Sequence, residues 1–253
     1  MSNGPLTIGL HSNIIYFQVL RTTASTLLHS SNVYHHEWAG KLAELLITLT
    51  QAEGGLGWAT GSSHSPANGT SGAKVFFANS GTEANEGALK VARKVGKARW
   101  AEATGKPWDD AACDKHEIVC FERSFHGRSM GALSVTSNPK YQKPFTPLIP
   151  GVRVGQLNDA AQLESLVGEK TCAVIVEPIQ GEGGINAADV EWLRALRKRC
   201  DEVGAVLIYD EIQVSQCTED VLSRRAASSV CTWSTEALRP FIPALGFVVT
   251  AAD

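Results

Sequence analysis

The residues most suited to chemistry begin at Asn79-Ser80-Gly81-Thr82-Glu83-Ala84-Asn85. Ser80 and Glu83 have capping-box spacing, so the Ser80 hydroxyl can accept from the Glu83 amide while Glu83 reaches back. Gly81 is expected to let the backbone turn sharply. The first-turn amides then point outward with the positive end of the helix dipole behind them, an arrangement that suits a phosphate. Spacing alone fits an ordinary capped strand-turn-helix equally well; the seven-residue string is more specific than the cap.

A second group lies in Ser124-Phe125-His126-Gly127-Arg128. An aromatic ring such as Phe125 can stack on a flat cofactor, and the Arg128 guanidinium can clamp a carboxylate through two hydrogen bonds. Each is bland alone, since Phe is usually core and Arg usually surface. His126 is a candidate base, although a loop histidine is more often solvated or capping. In Glu177-Pro178-Ile179-Gln180-Gly181-Glu182 the two glutamates flank a turn. They are either a charged loop or a polar wall on the substrate side. In Tyr209-Asp210-Glu211-Ile212-Gln213, Asp210 ends a strand, where ligands bind in open α/β sheets. A buried carboxylate there can keep the ring nitrogen of a heteroaromatic cofactor protonated. Strand alternation lets only one of Asp210 and Glu211 face such a ring; the alternative is a solvated acidic pair.

The elements that must position these groups follow from periodicity. Glu37 to about Thr50 reads as a helix with Trp38, Leu42, Leu45, Leu46 and Leu49 on one side. Residues 54–72 read as a loop. Lys74–Ala78 is a strand candidate leading through the Ser80 turn into a helix to about Gly96, with Ala84, Ala88, Val91, Ala92 and Val95 inward. Ile118–Phe121 and Ala173–Val176 are further strands, with a short helix over Asp159–Val167. Asp189 is expected to N-cap a helix carrying Leu193, Leu196, Cys200 and Val203 inward. Gly204 closes it, and Ala205–Tyr209 is the next strand. Near-continuous apolar strands alternating with helices predict an α/β fold: a mostly parallel sheet with helices on both faces.

Bulk properties set bounds on partners. The 253 residues are 43% hydrophobic and 19% charged, as in a globular protein with a core. A net charge of −3 and a pI near 6.2 give no electrostatic reason to expect nucleic acid or a membrane. No apolar run approaches the roughly 20 residues needed to span a bilayer. Six cysteines without C-x-x-C pairing read as reduced thiols, and no metal-ligand spacing is present. The N-terminus lacks a clear transit peptide, which keeps a cytoplasmic location open.

Together these strings resemble the class III, or ornithine-type, aminotransferases of the pyridoxal-phosphate fold type I superfamily, and within it the acetylornithine branch in its fungal form. Leu27–Tyr34, Glu37–Ala43, Phe77–Lys94, Phe125–Pro150, Val176–Gly184 and Val206–Gln213 carry the likeness. The resemblance implies a partial cofactor-binding large domain over about residues 26–213. It implies pyridoxal 5'-phosphate, with Ser80, Gly81 and Thr82 at the phosphate, Phe125 on the ring, Asp210 at the ring nitrogen and Gln213 at the ring hydroxyl. Arg128 would hold the substrate α-carboxylate, and Glu182 would help switch between amino donor and acceptor. The implied reaction moves the terminal amino group of N-acetylornithine to 2-oxoglutarate, in arginine biosynthesis. Ornithine and 4-aminobutyrate are the alternative donors. A homodimer and the mitochondrial matrix are implied as well.

Two segments depart from the family pattern. Residues 1–25 do not match it. After Gln213 the family continues with a Gly-rich turn and a lysine that holds the cofactor aldehyde as a Schiff base, whereas Lys198 is the last lysine of this chain. The expectation is therefore a truncated enzyme without a catalytic residue, incompetent as written, or a non-catalytic cofactor- or partner-binding remnant. A sheet ending after Asp210 is expected to leave an unpaired strand edge. Gln213-Val214-Ser215 can be encoded as an exon end followed by an intron's opening consensus. This leads to the expectation that residues 214–253 are an aberrant tail read from unspliced sequence.

Overall fold

A computed structural model describes residues 37–52, 74–212, 229–234 and 246–250, together with isolated positions before residue 37. The helix α1 (Glu37–Ala52) precedes β1 (Lys74–Ala78) and the long helix α2 (Gly81–Thr104). There follow β2 (Glu117–Phe121), the short helices α3 (Met130–Ser134) and α4 (Pro139–Gln142), β3 (Val152–Gly155), α5 (Leu163–Leu166) and β4 (Thr171–Val176). A small hairpin of β5 (Ile179–Gln180) and β6 (Asn186–Ala187) leads to α6 (Val190–Val203) and β7 (Val206–Glu211). Two more strands, β8 (Ser229–Ser234) and β9 (Gly246–Thr250), complete the described chain.

Seven strands form one sheet in the order β1-β9-β8-β7-β4-β2-β3. β3, β2, β4, β7 and β8 run parallel to one another, and β9 pairs antiparallel with β8 and β1. Every residue of β4 and β7 is buried, as their unbroken apolar runs demand of strands covered on both faces. Alternation divides them between two cores. Val119, Phe121, Val174, Val176, Leu207 and Tyr209 face α6, whose Trp192, Leu193, Leu196, Cys200 and Val203 are buried against them. Ile118, Cys120, Ala173, Ile175 and Ile208 face the Ala84-Ala88-Leu89-Ala92 stripe of α2. The small residues of that stripe let the helix lie close to the sheet.

The expected mostly parallel α/β architecture is present, and several local expectations change. The Trp38-Leu42-Leu45-Leu46 side of α1 is not a buried stripe: Leu46 is buried, while Trp38 and Leu45 are 45% and 53% exposed. Val91 is exposed as well, because α2 turns it past the sheet. Asp189 stands at the start of α6 but makes no side-chain cap. Gly204 ends α6 in the left-handed region at φ 67°, as expected of a C-cap glycine. The helix expected over Asp159–Val167 is confined to Leu163–Leu166. The loop expected over residues 54–72 lies outside the described residues.

The expected unpaired edge beside Asp210 is overturned. β7 pairs in parallel with β8 from Leu207 opposite Ser229 to Glu211 opposite Trp233. Residues after Gln213 therefore supply two inner strands. Their β-branched and aromatic content (Val230, Thr232 and Trp233; Phe247, Val248 and Val249) suits that role.

Candidate functional site at the carboxyl ends of the strands

The turn between β1 and α2 carries the first half of the site. Ser80 is extended (φ −158°) and its hydroxyl accepts from the Glu83 amide at 3.4 Å. Glu83 reaches back one residue further than a simple capping box, accepting from the Asn79 amide at 2.7 Å. The Gly81 and Thr82 amides belong to the first helical turn, where no intrahelical acceptor exists. Gly81 is needed for packing rather than for a special backbone angle: a Cβ there would meet Ile212 Cδ1 at 2.5 Å. This contact also docks the turn against the end of β7.

Asp210, at that end, is 5% exposed. Its Oδ2 accepts from Asn85 Nδ2 at 2.8 Å and shares a 2.8 Å hydrogen bond with His126 Nδ1. Its Oδ1 accepts from the Ile212 amide at 3.2 Å. Asn85 also donates to the His126 carbonyl at 2.7 Å, so one side chain of α2 ties the Phe125 loop to β7. Asn85 Oδ1 and His126 Nε2 are buried without a partner. No lysine or arginine pairs with Asp210 among the described residues. A buried carboxylate supported by a neutral amide and an imidazole is poised to receive one further cationic donor.

The Phe125–Arg128 loop is fastened from several sides. Glu177 is buried beneath it and accepts from the Phe125 amide at 2.9 Å. Burial pushes the Glu177 carboxyl up to about 7; nearby His126 opposes this and Asp210 adds to it. Glu177 is thus a clasp under the loop rather than the substrate-facing polar wall the sequence suggested. Thr136 accepts from the His126 amide at 2.9 Å. Gly127 has φ 129°, a conformation open to glycine, and a Cβ there would meet Thr82 Cβ at 2.7 Å. The Thr82 hydroxyl lies 2.9 Å from Ser129 Oγ. Glu86 accepts from Ser129 Oγ at 2.6 Å and from the Gly131 amide at 2.7 Å. The phosphate-type turn and the Phe125 loop are therefore one unit.

Beyond that loop lies a polar and aromatic cluster. The Phe125 and Tyr141 rings meet edge to face at 5.6 Å. The Arg128 guanidinium lies over Tyr141 at 5.2 Å and over Phe125 at 6.0 Å. The Tyr141 hydroxyl donates to Glu182 Oε1 at 2.7 Å. The structure thus brings Ser80, Gly81, Thr82 and Asp210 together, and groups Phe125, Arg128 and Glu182. Gln213 lies outside the described residues.

Asn85, Tyr141 and Glu86 went unassigned in the sequence. Asn85 had a usable signal, a polar residue beside the inward Ala84-Ala88 stripe. Tyr141 sits in a short helix that no hydrophobic period announces.

Comparison with known proteins gives the family and the fold. Residues 4–217 match the family described as Aminotransferase class-III. That span begins ahead of Thr26 and ends close to Gln213. The chain is 51% identical over 203 residues to the mitochondrial acetylornithine aminotransferase of Yarrowia lipolytica, covering 80% of this chain and 43% of that protein. It is 49% identical over 203 residues to the corresponding protein of Neurospora crassa, covering 80% of this chain and 39% of that one. The chain thus spans about two fifths of the length of these relatives. Its fold matches ornithine aminotransferase from Toxoplasma gondii with a TM-score of 0.72 at 24% identity, over 94% of this chain and 50% of that one. It also matches N-acetylornithine aminotransferase from Stenotrophomonas maltophilia with a TM-score of 0.61 at 29% identity, over 94% and 52% of the two chains.

Proposed function

Since the chain belongs to the class-III aminotransferases, a pyridoxal-phosphate-dependent family, we propose that its described residues form the phosphate- and ring-holding half of an acetylornithine-type transaminase site. The proposed amino donor is N-acetylornithine and the acceptor 2-oxoglutarate, with ornithine or 4-aminobutyrate as alternative donors. A homodimer in the mitochondrial matrix is part of the proposal, supported by the names of the fungal relatives for the location only.

The observation that carries this reading is the buried Asp210 carboxylate held by Asn85 and His126 beside the Ser80 turn. The residues fit the cofactor: the carboxylate has no fixed cation, and the turn offers first-turn amides to a phosphate. When bound, pyridoxal phosphate supplies an electron sink for the carbon bearing the substrate amino group.

The protein's contributions are positional and electrostatic. Ser80, Gly81 and Thr82 would seat the phosphate. Asp210 would keep the ring nitrogen protonated, and Asn85 and His126 fix the angle of its carboxylate. Phe125 would cover the ring, its backbone held by Glu177. Arg128 would take the α-carboxylate, and Glu182 would set which second substrate group is admitted. Gln213 is proposed for the ring hydroxyl.

Residues 199–253 contain no lysine. That favours a second reading in which this chain binds the cofactor without covalent attachment and does not turn over alone. Titration with pyridoxal phosphate, followed by absorbance and by borohydride trapping, tests both readings. Binding is expected, and Asp210→Asn should weaken it about tenfold, the scale of one charged hydrogen bond. Equal binding by parent and variant overturns the site. Robust, lysine-trapped turnover of N-acetylornithine by the chain alone overturns the non-covalent reading.

A further inference from the structure

We infer that Tyr141 is a positioning residue that keeps Arg128 available to an incoming carboxylate by tethering Glu182. The inference rests on the carboxylate-clamp role proposed for Arg128. Tyr141 stands between two opposite charges. Its ring face carries the Arg128 guanidinium at 5.2 Å, and its hydroxyl donates to Glu182 Oε1 at 2.7 Å. Among the described residues no ion pair joins Arg128 to Glu182, although the guanidinium lies over the Tyr141 ring and the carboxylate accepts from its hydroxyl.

An unrestrained glutamate beside an arginine would form the bidentate pair that guanidinium favours. Such a pair would occupy the donors a substrate carboxylate needs. The phenol hydrogen bond holds Glu182 at the hydroxyl, while the Arg128 guanidinium lies 5.2 Å from the ring centroid and also reaches the hydroxyl. Phe125 braces the arrangement, meeting Tyr141 edge to face at 5.6 Å and lying under the same guanidinium. The hydroxyl, which meets both Glu182 and Arg128, is thus the part of Tyr141 that stands between the two charges. Tyr141 itself sits at the end of α4, which starts with an Asn138 side-chain cap on the Lys140 amide and is stitched to α3 by Gln142 donating to the Leu133 carbonyl at 3.1 Å. Its position therefore does not depend on the hydrogen bond to Glu182.

Tyr141→Phe removes the hydroxyl and keeps the ring. Two measurements on the purified full chain are proposed, on parent, Tyr141→Phe, Glu182→Gln, the double variant and Arg128→Gln. The first is the Kd for 2-oxoglutarate by calorimetry. The second is the rate of phenylglyoxal addition to Arg128, read by peptide mass spectrometry. Tyr141→Phe is expected to weaken 2-oxoglutarate binding about fivefold or more and to slow Arg128 modification by a similar factor, the scale of one charged pair. Adding Glu182→Gln should restore both, because no carboxylate remains to quench Arg128. A merely structural role for Tyr141 would give no such rescue.

Parent-like values for Tyr141→Phe in both measurements, or a double variant as impaired as Tyr141→Phe, overturn the inference. If Arg128→Gln binds 2-oxoglutarate like the parent, or the parent does not bind it, the carboxylate clamp itself is wrong and the proposed site falls with it. Loss in Arg128→Gln without loss in Tyr141→Phe sinks only the role of Tyr141.

Discussion

Glu177→Gln is the most informative single change for the architecture of the site. Glu177 is 4% exposed, and burial lifts its carboxyl to about 7. In the unfolded chain it returns to the ordinary value of 4.5. Between these limits the folded state binds more protons than the unfolded state. Stability therefore falls as pH rises from about 4.5 to about 7 and levels off above that. Each pH unit corresponds to ~1.4 kcal/mol, so the full interval is worth about 3 kcal/mol at most. Glutamine keeps the shape and one acceptor oxygen but does not titrate. It leaves either the Phe125 or the Gly181 amide short of an acceptor, a pH-independent cost of ~1 kcal/mol. The readout is consequently the slope, not the absolute stability. Urea unfolding followed by tryptophan fluorescence at pH 5, 6, 7 and 8 should show the parent losing stability between pH 5 and 7 and Glu177→Gln losing much less. Equal slopes in the two proteins would falsify the assignment of the raised pKa to this buried carboxyl.

Three other outcomes are expected. Leu196→Ala should cost about 2–5 kcal/mol in a denaturant titration, since Leu196 is fully buried between α6 and the sheet; a cost under ~1 kcal/mol would contradict that packing. Gly96→Ala should destabilise by about 1–3 kcal/mol, because the new Cβ would lie 2.7 Å from Cys172 Cβ with backbone directly behind it; a neutral or stabilising result would mean α2 sits farther from β4. In hydrogen exchange, amides of Leu207 to Tyr209 should all be protected, being flanked by β4 on one side and β8 on the other. Rapid exchange at alternate amides of β7, those directed at β8, would show that the β8 pairing does not form in solution.

The fold could be read from the sequence where a strand is buried on both faces or a helix has one apolar side. β4, β7 and α6 satisfy these conditions, and their positions came out within a few residues. α1 failed for a physical reason: its leucines form a stripe, yet among the described residues little packs on it beyond β1, so period alone overstated burial. The segment after Gln213 failed for the opposite reason. It carries no sustained helical period, and its strands 229–234 and 246–250 are short and separated. Local pattern gives such strands no partner. Only the sheet order shows that β8 lies beside β7 and that β9 lies between β8 and β1.

The site divides in the same way. Residues whose placement follows from their own element, such as Ser80 at a helix start and Asp210 at a strand end, were legible because secondary structure fixes where they stand. Residues that act through another side chain were not. Nothing in the spacing of Asn85 and Asp210, 125 residues apart, announces their 2.8 Å hydrogen bond. Glu177 and Glu182 read as equivalent acids flanking one turn, yet the first is buried as a backbone clasp and the second is exposed and bound to a phenol. Their difference lies in depth, and depth is set by the Phe125 loop that covers one and not the other. Such a site has a floor, built of buried hydrogen-bond donors around Asp210, and a polar entrance in which Arg128 and Glu182 meet at an aromatic hydroxyl. Floor substitutions should therefore act on cofactor affinity and folding together. A change at the entrance such as Tyr141→Phe should alter carboxylate recognition while leaving the unfolding midpoint nearly unchanged, because it keeps the ring and removes only a hydroxyl bonded to the exposed Glu182.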